Sequence, residues 1–493
     1  MGNLYFQYRD GFPDNLNKVF IETETKNQIT YADLEKHSAA YSVGFEKLGL
    51  NRGDRVTLQV NKSVEVIFIY LACLRSGLIF HPLNTAYKDS ELQFFLNDAK
   101  PTIFICESTI FNKISELNLK KKPANIFTLD SIQKIKIYGD HEILDCPDDE
   151  VAALLYSSGT TGNPKGIMLT HKNIGSNSKT LSECWNFQED DCLLHALPIY
   201  HVHGLFVALG CSLFSSSKVQ WMDSFDSEKV IQALSKCSVM MGVPTYYTRL
   251  LSSENLNKDN TSSIRLFISG SAPLLEDTFH EFKSRTGKEI LERYGMTETN
   301  IISSNPIEGK RKPGSVGLSL EGQTVRIVDN ANKSLNFKEI GDIQVSGTNV
   351  FKGYWNLPDK TSEEFTSDHY FKTGDKGYFD EDGYLFIVGR NKDMIITGGL
   401  NVYPKEVETY IDEIDGVNES AVIGLKDDDF GEKVVAIVVL EAKSDLKEAQ
   451  IIDRVKQSIA GFKVPKEVIF INELPRNAMG KVQKNILRDL YKV

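Results

Sequence analysis

Two patterns of hydrophobic and polar positions alternate between Ile29 and about Val239. Amphipathic segments such as "TYADLEKHSAAYSVGFEKLGL" are followed by short apolar runs such as "DRVTLQV" and "PTIFICE". Helices that alternate with short buried strands are typical of βαβ units, so this region predicts mainly parallel sheets covered by helices. Thr30 and Asp33 have capping-box spacing, which predicts that the first of these helices begins here.

The pattern changes between about Gly314 and Arg390. Short strand patterns such as "QTVRIVD", "GDIQVSG" and "YFDEDGYLFIVGR" are separated here by turn residues. Asp382 and Gly383 stand between two aromatic-rich runs and predict a hairpin with a type I′ turn, because that turn needs positive φ angles. A mixed α and β pattern then continues to the last residue.

These patterns predict an α/β protein of two domains. Residues 1–390 are expected to form a large N-terminal domain, with parallel and mixed sheets, helices and a small barrel-like β subdomain. Residues 391–493 are expected to form a smaller, mobile α+β domain. A chain of 493 residues is too long for one hydrophobic core, which agrees with this division.

Composition narrows the class of ligand. The net charge is −11, and a general nucleic-acid or membrane-surface binder would need a basic face instead. The most apolar stretch, "VEVIFIYLACLRSGLIF", contains Arg75 and predicts a core helix that runs into a strand, not a membrane span. Seven scattered cysteines without C-x-x-C spacing favour a reducing compartment, either the cytoplasm or an organellar matrix. We therefore expect no nucleic-acid partner and no stable membrane association.

The segment "YSSGTTGNPKG" has the composition of a polyphosphate-binding loop. Its glycines permit close backbone approach, its hydroxyls donate hydrogen bonds, and Lys165 supplies a positive charge. It is not a Walker loop, because Pro164 and Gly166 occupy the places of the second glycine and the magnesium-binding hydroxyl. Taken alone, the segment is equally compatible with a solvated turn.

Four later segments also carry candidate chemistry: "LERYGMTETN", "FKTGDKGYFD", "GRNKDMIITGGLNVYP" and "LPRNAMGKVQKN". Glu298 in the first has the type of side chain that holds Mg²⁺, and Asp375 in the second can accept hydrogen bonds from ribose hydroxyls. Each residue also has a simpler interpretation. Glu298 could be a helix-terminal charge, Asp375 a turn residue and Lys481 an exposed lysine.

Taken together and in this order, the five segments resemble the adenylate-forming acyl-CoA synthetase superfamily over nearly the whole chain. "PLNTAYKDSELQFFLNDAKP", "HALPIYHVHGLFVA" and "MGVPTYYTRLL" resemble the malonyl-CoA synthetases within it. The resemblance implies two reactions. A carboxylate attacks the α-phosphate of ATP to give an acyl-adenylate and pyrophosphate, and the thiol of coenzyme A then displaces AMP.

The resemblance also implies which residues take part. The residues implied in ATP and AMP binding are Ser157, Ser158, Gly159, Thr160, Thr161, Gly162, Lys165, Gly270, Ser271, Ala272, Pro273, Tyr294, Gly295, Asp375 and Arg390. The residues implied in catalysis are Lys481, Thr297, Glu298 and His201, with Glu298 as the Mg²⁺ ligand. A rotation about the hinge at Lys392 and Asp393 would replace Lys481 by Gly398 and Gly399, which would line the coenzyme A tunnel.

The acid is predicted from Arg249, a charge within the otherwise apolar and aromatic "GVPTYYTRLL". A guanidinium group matches a second carboxylate with two hydrogen bonds, and a buried one is costly without its partner. We therefore expect a buried Arg249, with Ser271, to bind malonate or a small dicarboxylate, with methylmalonate as a second acid. Arg249 could instead be a structural ion-pair partner, and His201 or His203 a core histidine.

Other functions stay open at this point. The alternatives are a short-chain or aryl acyl-CoA synthetase, an adenylation domain that loads a carrier protein, and an inactive nucleotide-binding regulator. The regulator is disfavoured because Lys165, Glu298 and Lys481 are all present. We expect a monomer or a weak homodimer.

Overall fold

The computed structural model describes residues 2–157, 164–397, 400–427, 430–459, 461–477 and 480–492, without the side chains of Ser157 and Asn401. In these residues the α-helices are α1 (Leu4–Asp10), α2 (Tyr31–Lys47), α3 (Val64–Arg75), α4 (Asp89–Ala99), α5 (Ser108–Phe111), α6 (Leu129–Ile132), α7 (His171–Cys184), α8 (Leu209–Phe214), α9 (Ser227–Leu234), α10 (Pro244–Leu251), α11 (Glu276–Thr286), α12 (Pro358–Glu364), α13 (Pro404–Asp412), α14 (Glu448–Ser458) and α15 (Lys484–Tyr491).

The strands in the same residues are β1 (Val19–Thr23), β2 (Gln28–Thr30), β3 (Arg55–Gln59), β4 (Ile79–Pro82), β5 (Ile103–Cys106), β6 (Asn125–Thr128), β7 (Val151–Ser157), β8 (Lys165–Thr170), β9 (Cys192–His195), β10 (Lys218–Trp221), β11 (Val239–Gly242), β12 (Leu266–Ser269), β13 (Ile290–Met296), β14 (Asn300–Ser304), β15 (Leu318–Ser319), β16 (Gln323–Val328), β17 (Gly341–Gly347), β18 (Gly353–Tyr354), β19 (Phe371–Phe379), β20 (Leu385–Arg390), β21 (Ile395–Thr397), β22 (Leu400–Val402), β23 (Val417–Asp427), β24 (Gly431–Leu440) and β25 (Glu467–Phe470). Short 3₁₀ helices lie at Ile114–Glu116, Gln133–Ile135 and Asn391–Asp393, and a π-helix lies at His203–Ala208.

Two large sheets form the core of the N-terminal region, as the alternating pattern predicts. One has the strand order β18-β8-β7-β4-β3-β5-β6, and the other β15-β14-β13-β12-β11-β9-β10-β1-β2, within the residues described. Their inner strands pair in parallel, and their edges carry antiparallel strands. The fold is therefore a mixed α/β fold, and the carboxyl ends of the parallel strands supply one edge on which a site can form.

Several local predictions are confirmed. Thr30 caps α2 through a reciprocal capping box with Asp33. The apolar run that contains Arg75 forms the buried helix α3 and then β4, as predicted. The segment around Lys165 lies between β7 and β8, which pair antiparallel. Residues 158–163 of that segment lie outside the described residues.

The N-terminal helix α1 was not predicted. It buries Leu4, Tyr5 and Tyr8, and Asn3 caps it by accepting a hydrogen bond from the backbone of Tyr5. Asn3 Nδ2 also donates to the carbonyl oxygens of Leu74 and Leu144, at 2.8 Å each. Asn3, Leu4, Tyr5 and Tyr8 are therefore part of the core.

The predicted barrel-like subdomain is an antiparallel sheet with the order β16-β17-β19-β20 in the residues described. The hairpin between β19 and β20 is confirmed, but the type I′ turn is wrong. Only Gly383 takes a positive φ angle, of 81°, and Asp382 does not. Asp380 accepts hydrogen bonds from the backbone of Asp382 and Tyr384, so the chain closes in a longer loop with glycine in the left-handed region.

The residues after the 3₁₀ helix at Asn391–Asp393 form their own hydrophobic clusters around β23 and β24. The sheet there has the order β22-β21-β24-β23, with β25 parallel to β24, and α13, α14 and α15 pack beside it. In the described part of the chain, no helix has the length and apolar character that crossing a membrane requires.

Candidate active site

Asp375 joins the antiparallel subdomain to the larger of the two main sheets. Tyr294 Oη donates a 2.5 Å hydrogen bond to Asp375 Oδ2, and Arg390 Nε lies 2.9 Å from Oδ1. The backbone register sets this arrangement, because Asp375 pairs with Arg390 between β19 and β20. Burial and the Asp375 charge raise the pKa of Tyr294, while Asp375 raises the pKa of Arg390. The structure thus brings together three predicted nucleotide residues.

The predicted nucleotide segment from Gly270 to Pro273 follows β12, beside β13. A Cβ atom at Gly270 would lie 2.5 Å from Cζ of Arg293, so only glycine lets the backbone pass this guanidinium group. Ser271 takes a φ angle of 73°, which is unusual for a serine. Gly295 is equally constrained, since a Cβ there would lie 1.9 Å from the carbonyl oxygen of Asn300. This loop and the end of β13 form one wall of the site.

Lys165 and Glu298 approach each other through Tyr354. The Lys165 ammonium group lies 4.4 Å from the centre of the Tyr354 ring and 3.8 Å from a carboxylate oxygen of Glu364. Tyr354 Oη donates a 3.2 Å hydrogen bond to Glu298 Oε1. Burial raises the pKa of Glu298, and the charge of Lys165 is among the influences that lower it. Thr297, half-buried, directly precedes Glu298 at the end of β13.

Arg293 is a buried cation in the middle of this region. It is 4% exposed, and in the described chain neither Nε nor Nη2 of its guanidinium group has a hydrogen-bond partner. Burial lowers its pKa to about 9. A buried guanidinium group without a carboxylate is unfavourable, so this position favours an anionic ligand.

Two histidines of the predicted acyl segment face Arg293. Burial first, and then the charge of Arg293, lower the pKa of His201 to about 4, and the same causes lower the pKa of His203. His203 Nδ1 lies 3.3 Å from Ser271 Oγ. Both imidazoles are therefore neutral near pH 7. The structure thus places Ser271 beside His203, and its neighbour Gly270 beside Arg293.

Arg249 does not occupy the buried position that the sequence suggested. It lies in the last turn of α10, and its side chain is exposed. The apolar neighbours in its sequence are the buried face of an amphipathic helix, from which Arg249 points away. The expectation of a buried Arg249 is therefore wrong, and the buried arginine of this region is Arg293.

Arg293 and Tyr354 are the residues that sequence reasoning missed. A signal was present for Arg293, because Glu292 and Arg293 are adjacent charges inside an otherwise buried strand. Glu292 accepts a 3.0 Å hydrogen bond from the backbone of Leu274, which accounts for one of the two. Burial raises the pKa of Glu292 to about 7. For Arg293, in contrast, the described residues offer no hydrogen-bond partner to Nε or Nη2.

Lys481 approaches the site from the C-terminal region. A Cβ atom at Gly480 would lie 3.2 Å from Thr245 Oγ1 on α10, so the loop that carries Lys481 rests on the N-terminal region. Burial first, and then the charge of Arg390, lower the pKa of Lys481 to about 8, while Asp375 opposes the shift. Lys481 therefore lies within electrostatic range of Asp375 and Arg390.

The predicted hinge residues Lys392 and Asp393 lie within electrostatic range of Lys481, and Lys392 also of Arg390. Burial lowers the pKa of Lys392 to about 8. Asp393 forms a 2.8 Å ion pair with Arg488 on α15, and this arginine helps to hold its pKa below the ordinary value. Ser158, Gly159, Thr160, Thr161, Gly162, Gly398 and Gly399, also predicted site residues, lie outside the described residues.

The fold and this arrangement of residues define a member of the AMP-binding enzyme family, to which the chain belongs. The family model for AMP-binding enzymes matches residues 10–355, and the model for their C-terminal domain matches residues 406–481.

Among individual proteins, the chain is similar to ATP-bound MatB from Rhodopseudomonas palustris. The two are 47% identical, with a TM-score of 0.97 over 100% of this chain and 99% of that one. Apo MatB from the same organism gives a TM-score of 0.86 over the same shares, with 47% identity. The structure of this chain is thus more similar overall to the ATP-bound than to the apo MatB structure.

Two curated relatives add information about activity. A malonate–CoA ligase of Arabidopsis thaliana is 33% identical, with 96% of this chain and 82% of the relative covered. A long-chain-fatty-acid–CoA ligase of Bacillus subtilis (strain 168) is 32% identical, with 93% and 90% covered. Overall identity to these two relatives therefore does not separate a short diacid from a long fatty acid, and the residues at the site must do so.

Proposed function

We propose that this chain is an AMP-forming malonate–CoA ligase. It converts malonate, ATP and coenzyme A into malonyl-CoA, AMP and pyrophosphate through a malonyl-adenylate. The observation that carries this proposal is the buried guanidinium group of Arg293 near His201 and Ser271, whose Nε and Nη2 have no hydrogen-bond partner among the described residues. A fatty-acid chain would leave this charge unpaired, whereas the second carboxylate of malonate would pair with it.

In the first reaction, Arg293 would hold one carboxylate of malonate and leave the other free to attack. Ser271 and His201 lie on the same side of the site and would orient the acid. Tyr294, Asp375 and Arg390 would hold the nucleotide, with the carboxylate of Asp375 as acceptor for the ribose hydroxyls. Attack joins two anions, so a cation between them lowers the barrier.

Lys481 is the cation that we assign to this attack. Its side chain lies within electrostatic range of Asp375 and Arg390, which supports a position beside the nucleotide. The ammonium group would contact both the attacking carboxylate and the α-phosphate. Thr297 would donate a hydrogen bond to that phosphate. Lys165 and the loop before it would hold the departing pyrophosphate.

The residues present fit a Mg²⁺ ion that is bound mainly by nucleotide. Glu298 is a buried carboxylate beside Lys165, and the described residues contain no cluster of three potential metal ligands. Mg²⁺ usually takes one or two carboxylates together with phosphate oxygens, so Glu298 alone is a sufficient protein ligand. When bound, the ion would neutralise charge on the phosphates.

The second reaction would need a different domain orientation. The loop that carries Lys481 rests on α10 and occupies the approach to the site. Rotation about Lys392 and Asp393 would remove it and bring Gly398 and Gly399 toward the adenylate. Coenzyme A would then attack the malonyl carbonyl, with AMP as the leaving group. We accordingly propose that the two domains, residues 1–390 and 391–493, meet at this hinge.

A carboxylate panel tests the function directly. Purified protein would be incubated with ATP, Mg²⁺, coenzyme A and one of malonate, methylmalonate, acetate, butyrate or benzoate, and the thioester measured by mass spectrometry. We expect malonate to be the best substrate, with methylmalonate second. Equal or faster turnover of butyrate or benzoate would instead support a short-chain or aryl acyl-CoA synthetase.

Two further assignments accompany this proposal. The free thiols that seven cysteines would supply suit the cytoplasm or an organellar matrix. Turnover by one copy needs no residue from a second, because the residues assigned above all belong to one chain. We therefore propose a monomer or a weak homodimer.

A further inference from the structure

Lys62, which forms no ion pair with a carboxylate among the described residues, lies between the two large sheets. Lys62 follows β3 and lines a cavity of about 280 Å³ together with Ala196, Tyr200 and Tyr246. Its ammonium group contacts His195, the last residue of β9, and Met222, which directly follows β10. The proposed mechanism does not use it.

The contacts of Lys62 are unusually specific for a lysine. Nζ lies 2.9 Å from His195 Nδ1, 2.8 Å from the His195 carbonyl oxygen and 2.6 Å from the Met222 carbonyl oxygen. It also lies 4.2 Å from the centre of the Trp221 ring. An ammonium group has three hydrogens, and these three acceptors account for all of them. Lys62 is therefore a fixed donor and not a solvated charge.

This arrangement determines the tautomer of His195. The carbonyl oxygen of Gly204 can only accept, so Nε2 of His195 beside it carries the proton of the neutral imidazole, and Nδ1 accepts from Lys62. Nε2 lies 2.9 Å from the carbonyl oxygen of Gly204 and donates to it. The ring stacks on Trp221, with 5.3 Å between centroids and an angle of 8° between planes. His195 thus transmits the position of Lys62 to Gly204.

Gly204 belongs to the segment that carries the histidines of the acid-binding site. It lies in the π-helix His203–Ala208, and π-helices often occur at functional sites. A Cβ atom at Gly204 would lie 2.0 Å from the carbonyl oxygen of Pro198, so the turn around His201 is closely packed. The segment has little freedom to move without losing its contact with His195.

We propose that Lys62 is a positioning residue for acid activation, which acts through His195 and Gly204 to hold His201 and His203 against Ser271 and Arg293. The consequence for the acid rests on the proposed function; the control of the His195 tautomer does not. Without the Lys62 donor, the proton can move to Nδ1. Nε2 would then face the Gly204 carbonyl as a second acceptor, and the contact would become repulsive.

Kinetics of Lys62→Met test the effect on the acid. Methionine keeps much of the apolar stem and removes the donor. We expect the KM for malonate to rise about tenfold, the effect of one lost hydrogen bond, with the KM for ATP within about twofold. Lys62→Arg, which retains donors, should recover at least part of the malonate affinity. Equal changes in both KM values, or no recovery by arginine, would overturn the inference.

Lys218→Met is the matched control. Lys218 lies on β10, the strand that ends at Trp221, and its ammonium group is 2.7 Å from Glu22. Lys218 belongs to the sheet that carries His195, and in the described part of the chain its ammonium group pairs with Glu22 and makes no hydrogen bond to this histidine. We expect both KM values to stay within about twofold of wild type, since partly exposed ion pairs contribute little. A malonate-specific rise in this variant would contradict a specific role for Lys62.

The His195 tautomer is read by nitrogen NMR of histidine-labelled protein, with His195→Gln used to assign the signal. The wild-type protein should show the Nε2–H tautomer of a neutral ring, and Lys62→Met should show loss of that single tautomer. A wild-type ring protonated on Nδ1 would overturn the inference even if Lys62→Met failed to fold. If the protein made no malonyl-CoA, the proposed function would fail while this measurement still decided the role of Lys62 toward His195.

Discussion

Tyr294 and Asp375 are joined by a 2.5 Å hydrogen bond although they lie 81 positions apart and on different sheets. The bond fixes one carboxylate oxygen of Asp375, while Arg390 fixes the other. The orientation of the proposed ribose acceptor thus depends on a residue of β13, the strand that also carries Arg293. In the proposed function, nucleotide and acid binding therefore share this strand.

Tyr294→Phe should weaken nucleotide binding. The variant keeps the ring but removes one donor from a buried carboxylate, which costs about 1.5–3 kcal/mol and corresponds to a rise of about tenfold or more in the KM for ATP. Steady-state pyrophosphate release at saturating malonate measures it. Tyr378→Phe is the control, because Tyr378 lies on the same strand as Asp375 and stacks on Phe386. An unchanged KM in Tyr294→Phe would show that the bond does not serve the nucleotide.

Arg293→Met and Arg249→Met should separate the two candidate arginines. Loss of a buried cation that pairs with a carboxylate costs about 3–5 kcal/mol, so Arg293→Met should lower kcat/KM for malonate at least about a hundredfold. Activity with butyrate should fall far less. Arg249 is exposed, and its replacement should change malonate kcat/KM by less than about threefold. A larger loss of malonate kcat/KM in Arg249→Met than in Arg293→Met would instead indicate that Arg249 binds the second carboxylate.

Tyr354→Phe should make the Mg²⁺ requirement depend more strongly on pH. The hydroxyl of Tyr354 lowers the pKa of Glu298, so its removal raises that pKa and favours the protonated, non-binding form at lower pH. We expect half-saturation to need about threefold more Mg²⁺ at pH 6.5 and little extra at pH 8.5. Mg²⁺ titrations of pyrophosphate release would show this.

The ring of Phe at position 354 would still lie under Lys165, so this contact should survive. Tyr384→Phe is a suitable control, since the Tyr384 hydroxyl donates to the carbonyl of Lys310, away from Glu298. An equal Mg²⁺ shift at both pH values would argue against control of Glu298 by the tyrosine hydroxyl.

The pH profile of adenylation should report Lys481. Its pKa is lowered from 10.5 to about 8, so the cation is present below pH 8 and is lost as the pH rises through that value. Adenylation measured as kcat/KM should therefore fall above pH 8. Bound phosphates favour the charged form, so the decline in kcat should begin at higher pH.

Lys481→Arg should remove the decline, at a lower overall rate, because the guanidinium group stays charged. Lys392 also has a pKa of about 8 and serves as the control. Lys392→Arg should leave the decline in place. If Lys392→Arg removed it instead, the titration would belong to the hinge.

Asn3→Ala should destabilise the N-terminal region. It removes two 2.8 Å hydrogen bonds to the carbonyls of Leu74 and Leu144 and the cap of α1, which we expect to cost about 1–3 kcal/mol. Thermal unfolding measures the change. Asn51→Ala, which removes a bond at an exposed position, should have little effect. Equal stability of the two variants would show that α1 contributes no more than a surface turn.

Much of the fold was predictable because it rests on local signals. The capping box at Thr30 and the buried run of α3 follow from spacing and hydrophobicity. The turn at Asp382 was harder, because a dipeptide does not reveal how many residues a loop includes. Helix α1 gave no clear signal, since it has only seven residues and its three buried ones, Leu4, Tyr5 and Tyr8, form no strong pattern of their own.

The site shows the same limit. Asp375 and Lys165 stand in recognisable motifs, so their segments could be singled out from the sequence. The choice between Arg249 and Arg293 could not be made, because it depends on which face of a helix is buried and on what surrounds a strand. Lys62 was invisible for a similar reason, since its acceptors are carbonyl groups and a histidine more than 130 positions away.

Arg390 ends β20, and the pivot residues Lys392 and Asp393 follow within three positions. The proposed ribose-binding side chain and the proposed hinge therefore belong to one segment of four residues, 390–393. A change in the position of Arg390 should therefore also affect the backbone of Lys392 and Asp393. Without a ribose bound at Arg390, the hinge should be less restrained. The C-terminal region should therefore rotate over a wider range after AMP leaves and over a narrower one when the next ATP binds.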